Sequence, residues 1–272
     1  GGDKSEEQIN QQLAMLVHTA NLEAEMEANA TYVECFKGVD LRRTEICCVT
    51  FAGQILSGSS FAYTPTYFFT TAGMDPSKAY ALGLGGTAIA FVGTVLSWWL
   101  ITYVGRRTIY LTGQGVCCFF LFLIGILNAA NGSTDSLWAQ SSFCITWLFT
   151  YSLTLGPVTY AIISETSSMR LRPLTVSLPR ITYQITNIIS QVLQSYFMNP
   201  TAWNASGKTG FFWGGTSLLV FIWAFFRLPE AKGRTYAELD LLFARKVPAR
   251  KFKTAHVDVF AQELEPQTEA KN

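Results

Sequence analysis

The sequence predicts an all-α integral membrane protein with six transmembrane helices. Apolar stretches follow one another along most of the chain, and each is about 20 residues long or longer, which is enough to cross a bilayer. Charged residues are confined to the two ends and to short islands between the apolar stretches. From residue 46 to residue 164 the only charged residues are Asp75, Lys78, Arg106, Arg107 and Asp135.

The interiors of the apolar stretches contain many Gly, Ser and Thr residues, which is typical of membrane helices that pack by close backbone approach. We therefore predict one transmembrane bundle, residues 45–235. A polar, acidic cytosolic segment, residues 1–44, precedes it, and a cytosolic tail, residues 236–272, follows it. The tail beyond Pro248 is sparse in apolar residues and is predicted to be disordered. The predicted spans lie near residues 46–70, 79–103, 108–128, 138–164, 174–198 and 210–228.

The distribution of Lys and Arg predicts the orientation of the bundle in the membrane. If both termini are cytosolic, nearly all basic residues near the span ends fall on the cytosolic side, and only Lys78 and Lys208 fall opposite, as the positive-inside rule requires. This orientation places Asn131 and Asn204 in external loops. Each begins an Asn-x-Ser acceptor, so each is a possible glycosylation site.

Polar side chains recur on the fifth predicted span at alternating steps of three and four residues, which places them on one helix face. In a membrane such a stripe should face a polar cavity or a polar partner. Arg180 could instead extend back to the cytosolic headgroups, and this alternative is favoured for that residue. The stripe consists of Ser177, Arg180, Gln184, Asn187, Gln191 and Gln194.

Two other spans carry polar residues at similar depth. The first span contains Gln54, whose amide either joins two helices by a hydrogen bond or forms part of a cavity wall, because an unpaired amide is costly in hydrocarbon. In the fourth span Gly156-Pro157 removes a backbone hydrogen bond in mid-membrane, and Tyr160 lies on a milder polar stripe. A cavity shared by three helices accounts for all these residues.

Four motifs in order indicate a family. They are Gln-x-x-Ser-Gly at 54–58, Gly-Arg-Arg at 105–107, Gly-Pro at 156–157 followed by Glu165 and Arg172, and Pro-Glu-x-Lys-Gly-Arg-Thr at 229–235. Over nearly all of residues 32–244, the sequence resembles the C-terminal half of a sugar porter of the major facilitator superfamily. Within that family it is similar to fungal maltose and general alpha-glucoside permeases, through phrases such as LSWWLITYVGRRTIYL and FRLPEAKGRTYAELDLLF.

The resemblance implies uptake of maltose or another alpha-glucoside across the plasma membrane, driven by proton symport with alternating access. Gln54, Tyr160 and Asn187 match sugar-contacting positions of the family, whereas Ile55 and Ser60 replace a glutamine and an asparagine of the hexose-porter pattern. Adding the polar residues of the same helices gives the expected sugar contacts: Gln54, Ser60, Thr64, Tyr160, Gln184, Asn187 and Gln191.

The resemblance also implies a gate. In the family, a cytosolic charge cluster holds the outward-open state, and Arg106, Glu165 and Arg172 match its positions. With the neighbouring charged residues of the same motifs, the expected cluster consists of Arg106, Arg107, Glu165, Arg172, Glu230 and Arg234.

A porter of this fold has two six-helix bundles with the substrate between them. We therefore expect this sequence to be a truncated C-terminal half, inactive alone, with the proton-coupling acid in an N-terminal half-transporter. The alternative is a half-protein that senses sugar without transporting it. A membrane enzyme is disfavoured because His18 and His256 lie in the termini, and no cofactor, metal site or nucleic-acid partner is expected.

Overall fold

The computed structural model describes residue 13 and residues 31 to 255, apart from positions 64, 72, 131 to 133, 169, 200, 204 and 253. This part of the chain forms ten α-helices and three short 3₁₀ turns, without a β-strand, so the prediction of an all-α protein is confirmed. The helices are α1 Gly38–Leu56, α2 Ser59–Ala62, α3 Pro65–Thr71, α4 Pro76–Tyr103, α5 Arg106–Ala130, α6 Thr134–Leu153, α7 Leu155–Thr166, α8 Arg172–Met198, α9 Thr209–Arg227 and α10 Tyr236–Ala244.

The first predicted span is divided into three helices. After α1 the backbone of Gly58 is left-handed, with φ +87°, a conformation that glycine adopts without the strain other residues would suffer. A Cβ at this position would also lie 2.9 Å from Leu121 Cδ1 and 3.1 Å from Trp213 Cβ. The ring of Pro65 then fixes the start of α3. This segment therefore enters the bundle as a helix with two breaks.

The fourth predicted span is divided as well. Thr154, with φ −119° and ψ −78°, separates α6 from α7, three residues before Pro157, which has no N–H to donate. The Thr154 hydroxyl donates a hydrogen bond at 2.6 Å to the carbonyl of Thr150, which also accepts from the Thr154 backbone N–H at 3.0 Å. The helix break predicted at Gly156-Pro157 therefore lies two residues earlier in the chain, at Thr154.

Four helical segments of the described chain are long and apolar enough to cross a membrane: Gly38–Tyr67, Pro76–Tyr103, Arg106–Ala130 and Thr209–Arg227. The two other predicted spans do not reach the same criterion. One is interrupted between α6 and α7, and α8 carries the polar stripe, which lowers its mean hydropathy. The count of six spans is therefore supported only approximately, and the boundaries at 45 and 235 stay predictions.

The core lies between α1, α5, α6, α7 and α9, where the fully buried side chains include Tyr110, Leu121, Trp147 and Trp213. Helix α4 packs on the outside of α6 through a seam of small residues. At Gly93 in this seam a Cβ would lie 3.1 Å from a backbone oxygen of α6. Most of the other residues of α4 are exposed, including several large apolar ones, which suits a surface that faces lipid or another protein.

The chain after α9 turns back beneath the bundle. Thr235 and Glu238 form a capping box at the start of α10, and Phe243 of that helix is 1% exposed. Phe252 is fully buried, and its ring centre lies 5.0 Å from that of Phe243. The predicted disorder directly after Pro248 is therefore wrong for the described residues that follow, because one aromatic side chain anchors them.

Candidate functional site

The polar residues of α8 share one open face. Arg180, Gln184 and Gln191 are exposed and Asn187 is half-buried, as their spacing predicts. Gln194 differs from the predicted stripe: it is 4% exposed, and its Oε1 accepts a hydrogen bond from Trp213 Nε1 at 2.9 Å. The exposed part of the stripe can therefore bind a ligand, while its last member joins α8 to α9.

Aromatic rings border this polar face. Tyr160 of α7 is 57% exposed, and the ring of Phe51 lies edge-on between Tyr160 at 5.2 Å and Tyr183 at 5.5 Å, measured between ring centres. The guanidinium of Arg180 lies 5.1 Å from the centre of the Tyr183 ring. The extension of Arg180 toward the cytosolic headgroups stays a prediction, and in this conformation its guanidinium also packs on Tyr183.

The sequence analysis did not identify Phe51 and Tyr183 as part of this surface. A signal was available, because Phe51 precedes Gln54 by about one helical turn and Tyr183 adjoins Gln184. Aromatic residues beside a polar stripe are what a sugar-binding face needs, since the apolar faces of a sugar ring pack on them.

Two predicted sugar contacts are buried between helices in this conformation. Gln54 is 3% exposed, and its Nε2 donates hydrogen bonds to the carbonyls of Leu155 at 3.3 Å and Gly156 at 3.1 Å. The hydroxyls of Ser60 and Ser190 are hydrogen-bonded at 2.7 Å and join α2 to α8. A sugar would reach Gln54 or Ser60 only after these contacts open. Thr64 lies outside the described residues.

One group of charged residues surrounds the start of α5. Nε and Nη2 of Arg106 lie 2.9 and 2.8 Å from Oε1 of Glu165, and the Arg106 backbone N–H donates to Glu230 Oε1 at 2.9 Å. Burial raises the pKa of Glu165 above its ordinary value, and the positive charge of Arg106 opposes part of that rise. Oε2 of Glu165 is buried without a hydrogen-bond partner. The pair links α5 to the end of α7.

Glu230 fits into this group because residue 105 is a glycine. A Cβ on Gly105 would lie 2.1 Å from Glu230 Oε2, so any larger residue would displace the carboxylate. Oε1 of Glu230 also accepts a hydrogen bond from the Lys232 backbone N–H at 3.2 Å. Arg107 points elsewhere, and its Nη2 donates to the carbonyl of Phe225 at 2.7 Å.

The other two predicted gate residues contact α10 and the segment after it. The guanidinium of Arg172 lies 4.6 Å from the centre of the Tyr236 ring, and its Nε and Nη2 are buried without a partner. Arg234 lies 3.7 Å from Glu238 and donates to the carbonyl of Phe252 at 3.1 Å. In this conformation Arg106, Glu165 and Glu230 form one group, Arg107 contacts α9 instead, and Arg172 and Arg234 contact α10.

The geometry consists of an open polar and aromatic face beside a helix bundle, with charged groups at one end. The model of the family described as "Sugar (and other) transporter" matches residues 2–243. The chain belongs to this sugar transporter family. It is therefore a multi-pass membrane protein, and its relatives are permeases rather than enzymes.

Two relatives and two solved structures illustrate the likeness. The maltose permease MAL31 of Saccharomyces cerevisiae is 34% identical over 261 residues, which are 96% of this chain and 42% of the permease. A general alpha-glucoside permease of the same species is 37% identical over 234 residues, 86% of this chain and 38% of the permease. The chain thus spans about two fifths of the length of these relatives.

Among solved structures, a double tryptophan mutant of XylE matches 85% of this chain and 49% of its own, with 18% identity and a TM-score of 0.67. A D-xylose-proton symporter matches 83% of this chain and 50% of its own, with 18% identity and a TM-score of 0.60. These matches show the fold, and they confirm the prediction of one half of a major facilitator superfamily structure.

Within this sugar transporter chain, the sequence analysis missed several ion pairs, among which Arg43, paired with Asp240, is the most buried arginine. Arg43 of α1 is 4% exposed, its Nη1 lies 2.6 Å from Asp240 Oδ1, and its guanidinium lies 4.5 Å from the centre of the Phe243 ring. It fastens α10 to α1. The predicted glycosylation sites Asn131 and Asn204 lie outside the described residues and stay predictions.

Proposed function

We propose that this chain is the C-terminal six-helix bundle of a proton-coupled sugar porter of the plasma membrane. Maltose or another alpha-glucoside is its substrate, and both termini are cytosolic. The observation that carries the proposal is the exposed polar face of α8 beside Tyr160. The names of the maltose and alpha-glucoside permeases support the substrate, and the D-xylose-proton symporter supports proton coupling.

The chemistry of this face suits a sugar. The amides of Gln184, Asn187 and Gln191 each offer donors and an acceptor, as ring hydroxyls require. The exposed Tyr160 ring offers an apolar surface on which one face of a pyranose can pack. The amides and the Tyr160 ring bind different sides of the same sugar.

The site is completed by a second six-helix bundle, whether that bundle belongs to the same polypeptide or to another. The polar face of α8 is open in this bundle, and the relatives are more than twice as long as the region they share with the chain. The acid that couples protons to sugar lies in that second bundle. Residues 1–44 and 236–272 flank the transmembrane part on the cytosolic side.

The ion pair between Arg106 and Glu165 acts as part of a cytosolic gate. The two side chains are 20% and 21% exposed, and their burial offsets part of the attraction between the charges, which is why the pKa of Glu165 is raised. Such a pair can break and re-form in each transport cycle. Gly105 and Glu230 hold its arginine in place from the backbone side.

Uptake of labelled maltose by transport-deficient cells tests the proposal. We expect no accumulation when the chain is expressed alone, and accumulation when it is expressed with the N-terminal half of a related maltose permease. Accumulation by the chain alone would overturn the requirement for a second bundle. Binding of maltose by the reconstituted pair without any uptake would favour the sugar sensor instead.

Substitutions on α8 test the site itself. Asn187→Leu and Gln191→Leu should each abolish maltose binding by the reconstituted pair, whereas Ile185→Leu on the neighbouring exposed apolar face should preserve it. Thermal stability should be similar in all three variants, because these side chains are not in the core. If binding survives both polar substitutions, the stripe serves helix packing and not sugar recognition.

A further inference from the structure

A cavity lies away from the proposed sugar site, between α1, the end of α9 and the segment after α10. Its volume is about 420 Å³. Its wall carries three cationic side chains, Arg42, Arg227 and Lys246, together with the rings of Phe226 and Phe243. None of the described residues that line it is acidic.

The positive charge of this cavity is only partly neutralised by the protein. Glu45 accepts hydrogen bonds from Arg227 Nε at 3.1 Å and from Trp223 Nε1 at 3.0 Å, so its carboxylate is occupied. Arg42 donates from Nη1 to the carbonyl of Val247 at 2.8 Å, while its Nε is buried without a partner. Within the described chain Lys246 forms no ion pair. An anion is the ligand that this arrangement accepts.

The backbone of Lys246 adopts a left-handed conformation that is unusual for a lysine. Its φ is +52°, in the left-handed region, and its N–H donates to the carbonyl of Phe243 at 2.9 Å while that of Val247 donates to Leu242 at 3.1 Å. This is the Schellman ending of a helix, whose left-handed position is usually glycine. A lysine here is conformationally unfavourable, and such outliers persist at functional sites.

An exposed apolar stripe leads along α9 to the mouth of the cavity. Leu218, Leu219, Ile222, Phe225 and Phe226 lie on one helix face at the spacing i, i+1, i+4, i+7 and i+8, and all are exposed. Phe226 is 58% exposed and also lines the cavity. An apolar stripe that ends in a cationic cavity matches a phospholipid, with its acyl chains on the stripe and its phosphate in the cavity.

We propose that this cavity binds the headgroup of an anionic phospholipid of the cytosolic leaflet, with Lys246 and Arg42 contacting the phosphate. Basic pockets between membrane helices on the cytosolic side are suited to such headgroups. Arg250 adds a further cation, since its guanidinium lies 4.8 Å from the centre of the Phe226 ring. A soluble phosphate would leave the apolar stripe uncovered, whereas the acyl chains of a lipid cover it, so the proposed occupant is a membrane lipid. The choice of leaflet rests on the proposed orientation; the site itself does not depend on sugar transport.

The test uses the purified chain in nanodiscs of equimolar phosphatidylcholine and phosphatidylserine, followed by native mass spectrometry of the lipid retained on the released protein. We expect phosphatidylserine to be retained in preference to phosphatidylcholine. Lys246→Gly should lower this retention roughly fivefold, since one basic residue near the surface contributes about 1 kcal/mol. The same substitution should preserve or raise thermal stability, because glycine suits the left-handed position.

Two controls make the result specific. Arg245→Gln removes one positive charge from the neighbouring exposed residue, which does not line the cavity, and should leave retention unchanged. Lys246→Gln removes the charge but leaves a non-glycine residue in the left-handed conformation. Its retention of phosphatidylserine should fall as much as that of Lys246→Gly. Excess inorganic phosphate or glycerophosphoserine should not displace the lipid.

Three results would overturn the inference: no preference for phosphatidylserine, equal losses in the residue 245 and residue 246 variants, or displacement by the soluble phosphates. The measurement requires neither sugar nor a second bundle. Its failure would therefore be distinct from a failure of the proposed transport function.

Discussion

Close contact between α9 and α5 makes Gly210→Ala the sharpest test of how this bundle is held together. A Cβ at residue 210 would lie 2.6 Å from the backbone carbonyl oxygen of Leu121 and 3.1 Å from the backbone nitrogen of Gly125. Both atoms belong to the backbone of α5, so no side chain can rotate away. Overpacking costs about 1 to 3 kcal/mol, and a rigid backbone places this variant at the upper end.

The gain in helix propensity offsets at most about 1 kcal/mol of that loss, which leaves a net destabilisation of roughly 2 kcal/mol. The control is Gly215→Ala on the same helix, where an added Cβ meets nothing within 4 Å. Helix propensity should then stabilise that variant by up to about 1 kcal/mol in the absence of a clash.

Thermal unfolding of both variants in the same detergent measures the difference. We expect Gly210→Ala to lower Tm by roughly 4 to 8 °C and Gly215→Ala to leave it unchanged or raise it. Equal Tm values for the two variants would refute the backbone contact between α5 and α9. A lower Tm for Gly215→Ala than for Gly210→Ala would contradict the placement of these glycines on the helix.

Three further outcomes are expected. Gly105→Ala should displace the Glu230 carboxylate with little loss of stability, because the Glu230 side chain can move. The same substitution should change the rate of transport by the reconstituted pair while leaving Tm nearly unchanged. Since the folded-state pKa of Glu165 is raised, its contribution to stability should be greatest at low pH and should decrease as the pH rises through that pKa. Glu165→Gln should remove this decrease of Tm as the pH rises above the ordinary glutamate pKa of about 4.3. Phe252→Ala should lower the free energy of unfolding by about 3 kcal/mol, as measured by denaturant titration, since the ring is fully buried.

Hydropathy and proline positions predicted most of the helical architecture. The helix ends follow charged islands and capping residues that are visible in the sequence, such as Asp75, whose side chain accepts from the N–H of Ser77 at 3.0 Å. The break at Gly58 was not predicted, whereas the one at Thr154 was predicted close by, at Gly156-Pro157. The order beyond Pro248 was not, because Phe252 is a single aromatic residue in a polar stretch and produces no periodic pattern.

The candidate site was predictable as a helix face but not as a set of contacts. The spacing of Gln184, Asn187 and Gln191 places them together whatever the rest of the chain does. Whether Gln54 faces a cavity or a neighbouring helix depends on where the break between α6 and α7 places the carbonyls of Leu155 and Gly156. A sequence pattern does not give the distance from Gln54 to those carbonyls. For the same reason the ion pair between Arg43 and Asp240 was missed, because the residues are almost 200 positions apart.

The distinction between satisfied and open polar groups locates the proposed function within the bundle. Gln54 and Ser60 have partners on other helices, so they stabilise this arrangement as it stands. Gln184 and Gln191 are exposed on a helix whose other open face is aliphatic, and hydrocarbon cannot supply the hydrogen bonds that their amides require. Their face must therefore meet water, sugar or polar protein, and each of these requires a partner surface that keeps lipid away. The second bundle that we propose provides such a surface, and the length of the relatives supports the same proposal.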